Sequence, residues 1–181
     1  MGSAEHGIGL LERAGIEVVS MDIGPECALP YPDAAFQVIT IFDVVEHLSA
    51  HPVRLLREAR RLLAPGGVLL LSGPNAFALM RRVKLLLGRH PYIDDEAWLG
   101  EAYFGHIREY VRHEYVDLLR GAGFDSISAH TVPEPSRTRA RNRYHRRRHA
   151  PLSPRALALR AAHLIESMAP PLRETVYCIA R

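Results

Sequence analysis

The chain has 181 residues, 48% of them hydrophobic and 24% charged, and a formal net charge of +3. That length supports one domain with its own core and is short for two, and the composition is that of a globular rather than a disordered chain. No apolar run reaches the length of a membrane span, and the first residues lack a basic-then-apolar leader pattern, so a cytoplasmic location is expected.

In chain order, residues 1–15 predict a flexible start and a short helix ending near Gly15, and residues 16–181 predict a single domain. Residues 16–21 (IEVVSM) read as a strand with Asp22 at its tip. Residues 36–42 (FQVITIF) are β-branched and aromatic, a buried strand followed at once by Asp43, Glu46 and His47. From Val53 to Leu63 apolar residues recur at helical spacing with arginines between them, and Pro65-Gly66-Gly67 reads as the helix stop. Residues 68–71 are a second apolar strand ending in Ser72-Gly73-Pro74-Asn75. Two strands apolar on both faces around a helix predict a parallel βαβ unit, whose ligands bind beyond the carboxyl ends of the strands. Polar residues gather at both of those ends, where they serve either a site or plain capping and solvation.

Residues 75–88 predict a helix with Leu79, Met80, Val83, Leu86 and Leu87 on a core-facing side and Arg81, Arg82 and Lys84 exposed. Residues 89–110 are a long, aromatic and histidine-rich stretch, read as a lid or as a surface loop anchored by its aromatics. A helix over 111–121, a strand over 124–132, a helix from Ser153-Pro154 to about Met168 and a last strand over 174–180 complete the pattern. Between them, residues 133–152 read as an arginine-rich insert. Residues 137–160 hold nine arginines and no acid, leaving 14 basic against 20 acidic residues elsewhere, so the basic character belongs to one segment. Cys27 and Cys178 lie far apart without metal-ligand spacing, which favours buried apolar roles over a disulfide. No zinc spacing, phosphate loop or serine elbow is present.

The segments LPYPDAAF, FDVVEHL, LREARRLLAPGGVLLLSGPN and GHIREYVRHEYVDLLRGAGF resemble the class I S-adenosylmethionine-dependent methyltransferases, most closely their single-domain branch acting on small molecules and cell-envelope components. The resemblance spans roughly residues 16–181. It implies an α/β, Rossmann-like fold: a mostly parallel sheet with helices on both faces and an antiparallel C-terminal edge pair. It implies S-adenosyl-L-methionine as cofactor, with Asp22 on the ribose hydroxyls or adenine edge and Ala28, Leu29, Phe42, Asp43 and His47 around the nucleoside. The GHxREY stretch lies over the acceptor side, which makes Tyr103, Arg108 and Glu109, with Asn75 at the second strand tip, the expected substrate residues. The family methylates without a metal, and none is expected. The chain departs from the family at its start, where only Gly7-Ile8-Gly9 stands for the glycine-rich cofactor loop and no apolar strand precedes it. An N-terminally truncated form of the fold is therefore expected, with Gly7 and Gly9 as the remnant of that loop.

Methyl transfer from a sulfonium needs the acceptor held in line, and a general base when the acceptor is a hydroxyl. His47 and His106 have the right intrinsic acidity, with Glu46 able to orient either one; a capping or solvated histidine is the alternative for each. The expected function is methyl transfer to a small-molecule or cell-envelope saccharide or lipid acceptor. Two other readings stay open: an inactive remnant kept as a binding module, and contact with an anionic polymer or membrane through residues 137–148, without specific nucleic-acid recognition.

Overall fold

The computed structural model describes residues 9, 11–21, 23–91, 106–132, 161, 164–165 and 168–181. Four strands form one mixed α/β, Rossmann-like sheet in the order β1-β2-β4-β3: β1 (Phe36–Phe42), β2 (Leu63–Pro74), β3 (Ile127–Val132) and β4 (Thr175–Ala180). β1 runs parallel to β2, while β4 runs antiparallel to both β2 and β3, so the expected antiparallel pair is present at the carboxyl-terminal side of the sheet. The parallel step is made by α1 (Val53–Leu62), which buries Leu55, Leu56, Ala59 and Leu62 on one stripe. α1 packs on β2 and beside α3 (Arg112–Gly121), which covers β3 and β4. Beneath them lie Ile41, Leu69, Leu71, Val176, Cys178 and Ala180, the inward-facing residues of three strands, closed by Tyr115, Leu119 and Phe124.

Several expected boundaries differ. The helix passes straight into β2 at Leu63, and Pro65-Gly66-Gly67 lies inside the strand rather than before it. Phe36 faces Leu63 and Val38 faces Val68, so the extra β2 residues loop out as a bulge. Gly66 takes φ +79, and a side chain at Gly67 would press on the Ala64 and Gln37 carbonyls at 2.9 and 3.0 Å. The sequence saw a helix stop because proline and glycine serve both devices. Residues 16–21 form no strand: Ile16, Val19 and Met21 are exposed, and among the described residues no strand pairs with them.

The helix expected over 75–88 is shortened to α2 (Leu79–Leu86). Asn75 accepts the Phe77 amide on its side chain and bridges to Tyr110, holding residues 75–78 in a turn instead. Of the expected core face, Leu79, Met80 and Val83 are half-buried, while Leu86 and Leu87 are exposed. Of the lid stretch, residues 92–105 lie outside the described residues, as do the arginine-rich insert and most of the helix expected after it. Among the described residues no helix is long and apolar enough to cross a membrane.

Candidate active site at the strand ends

The ladder between β1 and β2 extends one residue past Phe42, where the Asp43 amide donates to the Ser72 carbonyl at 3.1 Å. Asp43 then turns left-handed, φ 52, a conformation that short polar side chains tolerate better than most. Such a kink at a strand tip is where functional sites store local strain. It starts a 3-10 turn, Val45–His47, which buries Val45 and Glu46 and leaves His47 outward. The last part of the lid stretch is clamped on this turn: the amides of Ile107 and Arg108 both donate to the Glu46 carbonyl, at 2.7 and 3.3 Å. Further on, the Ala76 amide donates to the Tyr110 carbonyl at 3.1 Å, fixing the same segment to the end of β2.

Two segments far apart in the chain thus meet. The His47 and His106 rings pack edge to face, centroids 4.8 Å apart. Nδ1 of His106 makes a short hydrogen bond to Oε1 of Glu109, and the same oxygen accepts from Arg81 at 2.7 Å. Glu109 is fully buried in its side chain, so that carboxylate is held by one imidazole and one guanidinium away from water. Glu46, His47 and His106 bring one ligating atom each to within 4.8 Å of one another. Glu46 is 1% exposed, and neither of its carboxylate oxygens has a hydrogen-bond partner among the described residues. Burial pushes its carboxyl up from the ordinary range; Asp43 pushes the same way, and its own backbone, His106 and His47 pull against it.

Residues 6–129 match the family model of the methyltransferase domain. The chain belongs to that family. Its similarity extends to a "probable S-adenosylmethionine-dependent methyltransferase" of Mycolicibacterium smegmatis, 34% identical over 113 residues covering 62% of this chain and 38% of that protein. A Mycobacterium tuberculosis protein described in the same words is 34% identical over 55% of this chain and 31% of its own length. The chain therefore spans only 31–38% of the length of these curated relatives. Among solved structures, a SAM-dependent methyltransferase from Thermotoga maritima superposes with a TM-score of 0.56 at 16% identity, covering 97% of this chain and 69% of the other. One from Archaeoglobus fulgidus gives 0.53 at 15% identity over 97% and 80%. The cyclase SpnF gives 0.52 at 20% identity over 98% and 60%. At these identities the likeness shows the fold alone, and one fold hosts several chemistries.

Within this methyltransferase domain, the residues expected at the site are not all in one place. Asp43, His47, His106 and Glu109 converge at the strand ends. Glu109 differs from its expected role: it is not at the surface for a substrate but buried, orienting His106, a task assigned from the sequence to Glu46. Arg81, read from its helical position as exposed, is the cation of that buried pair, its side chain 16% exposed. Periodicity gave no sign of this, because the partner lies on a distant segment. Arg108 sits at the rim, paired with Glu114 at 2.7 Å and stacked over Tyr110.

Asn75 is corrected from substrate contact to structural bracket. It is 1% exposed, and its amide nitrogen donates to the Pro171 and Arg173 carbonyls at 3.0 and 2.7 Å, leaving no donor for a ligand. Phe42 points to the open sheet face, 48% exposed and edge-on to Tyr177. Leu29 is pinned to α1, its amide to Glu58 and its carbonyl to Arg61. Its neighbour Ala28 lines a shallow cleft with Arg54, Arg57 and Arg61, and none of the strand-tip residues lines that cleft. Gly9 lies in the N-terminal helical stretch rather than in the expected loop. Gly7, Asp22 and Tyr103 lie outside the described residues.

Proposed function

We propose that the chain acts in S-adenosylmethionine-dependent methyl transfer, with the strand-tip cluster on the acceptor side. The observation that supports this most is the His106–Glu109 pair at the carboxyl end of a parallel strand in a methyltransferase-family domain. The cofactor supplies an electrophilic methyl on a sulfonium. The protein's share is to hold the acceptor in line and take its proton. Glu109 fixes Nδ1 of His106 as the protonated nitrogen, which leaves Nε2 as an acceptor for a hydroxyl proton. His47, across the ring contact, is the second candidate base, and Arg108 at the rim suits an anionic or hydroxyl-bearing acceptor such as a small metabolite or a saccharide or lipid precursor.

Calorimetric titration with S-adenosylhomocysteine tests cofactor binding, and labelled methyl transfer tests activity. The reading predicts saturable binding, with His106→Ala lowering turnover by about 10²–10⁴-fold and leaving cofactor affinity unchanged. Absence of binding at millimolar ligand contradicts it and favours the binding-module reading. A second role rests on the arginines of residues 137–160: contact with an anionic polymer or membrane surface. Heparin or vesicle binding that survives deletion of residues 136–150 contradicts that role.

A further inference from the structure

The geometry points to a divalent transition-metal site formed by Glu46, His47 and His106. Three observations carry it. The three side chains gather their ligating atoms within 4.8 Å of one another. Around one tetrahedral ion, ligand atoms are about 3.3 Å apart, so a closure of roughly an ångström per side chain completes the site. Second, Glu46 is buried with both oxygens unpartnered among the described residues. A buried carboxylate without donors favours a cation, and among the described residues no lysine or arginine is paired with it.

Third, the surroundings match a metal-bound histidine. Nδ1 of His106 is held by the buried Glu109 carboxylate, which Arg81 in turn holds at 2.7 Å. A carboxylate on one imidazole nitrogen fixes the ring and raises the basicity of the other, the arrangement that supports metal-ligating histidines. Asp43 adds negative field on the same side, as its effect on Glu46 shows. Two imidazoles and one carboxylate suit zinc, cobalt or ferrous iron, and disfavour calcium and magnesium, which take oxygen ligands. Three protein ligands leave at least one coordination position of such an ion for water or an oxygen ligand.

Metal at this site and proton uptake in the methyl-transfer reading use the same Nε2 of His106 and exclude each other, so the test takes the metal alone as probe and reads binding rather than turnover. The full chain, stripped with chelator, is titrated with Co²⁺ and with Zn²⁺ in separate calorimetric runs, and the Co²⁺ run is followed by absorption. The expected result is one saturable equivalent with nitrogen-ligand absorption bands, unaffected by excess Mg²⁺. His47→Ala and His106→Ala each weaken binding at least tenfold, and Glu109→Gln weakens it by about 10–100-fold. His113→Ala, on the exposed face of α3, leaves affinity unchanged. His47 is exposed, so its variant keeps the fold, and the wild-type Co²⁺ spectrum needs no variant. Binding that is absent, that lacks nitrogen-ligand bands, or that is equally strong in His47→Ala and His106→Ala overturns the proposal.

Discussion

Leu56 and Glu46 are equally hidden from water, 0% and 1% exposed, and stand in the same βαβ unit. Leu56 lies on the buried stripe of α1, in the apolar cluster that holds Leu69, Leu71, Leu119 and Phe124. Glu46 lies at the strand tips with neither carboxylate oxygen partnered among the described residues, beside a left-handed aspartate and two histidines. The first region is shaped by what folding requires. The second keeps groups that folding alone selects against, which is the physical mark of a site.

The sharpest way to break this contrast is to remove the cation that makes the strand-tip charges tolerable. Arg81→Ala leaves the buried Glu109 carboxylate with only His106 and is expected to cost about 3–5 kcal/mol in urea denaturation. On the core side, Leu56→Ala is expected to cost about 2–5 kcal/mol, by cavity formation and with no effect on metal affinity. If Leu56→Ala weakens metal binding as strongly as Glu109→Gln, the two regions are not separate.

Gly73 sharpens the comparison at the boundary between them. A methyl there would run into the Tyr115 hydroxyl, which donates to the Pro74 carbonyl at 3.3 Å. Gly73→Ala is expected to lose about 1–3 kcal/mol by thermal melting, whereas Gly24→Ala, with nothing within reach of its methyl, stays within about 0.5 kcal/mol.

One further effect shows only at alkaline pH. Burial pushes the Cys178 thiol up to about 12. A group raised in the folded state favours folding fully below its unfolded value, near 9, and loses that contribution as pH climbs toward the folded value. Iodoacetamide at pH 8 should therefore leave Cys178 unlabelled until denaturant is added, and stability should fall between pH 9 and 12 more steeply than in Cys178→Ala.

The elements legible in the sequence were those with a strong local period. β1, α1, α3 and β4 carry runs or stripes that no other structure satisfies, and each formed within a residue or two of expectation. Misread elements depended on partners the pattern does not show. Residues 16–21 have strand composition and no ladder among the described residues, and the expected core stripe of α2 leaves Leu86 and Leu87 exposed. The Pro-Gly-Gly bulge looked like a helix stop because both devices use the same residues. At the site, His47 and His106 stood out singly for their acidity and their places after a strand and in a lid. Their contact, and the burial of Arg81 and Glu109, depend on how residues 106–110 fold back on the strand tips. The only local hint was the His106-x-x-Glu109 spacing, which places the two side chains within reach of each other.

The comparison rests on Glu46 being kept at a cost to the fold, and chelator-treated protein measures that cost directly. Urea unfolding of Glu46→Gln against the unaltered chain is the measurement. The variant replaces a buried carboxyl that has no hydrogen-bond partner among the described residues by an amide of the same shape, so a higher midpoint with an unchanged slope is predicted. A midpoint lowered as much as by Leu56→Ala would show that Glu46 is structural, and would contradict the account.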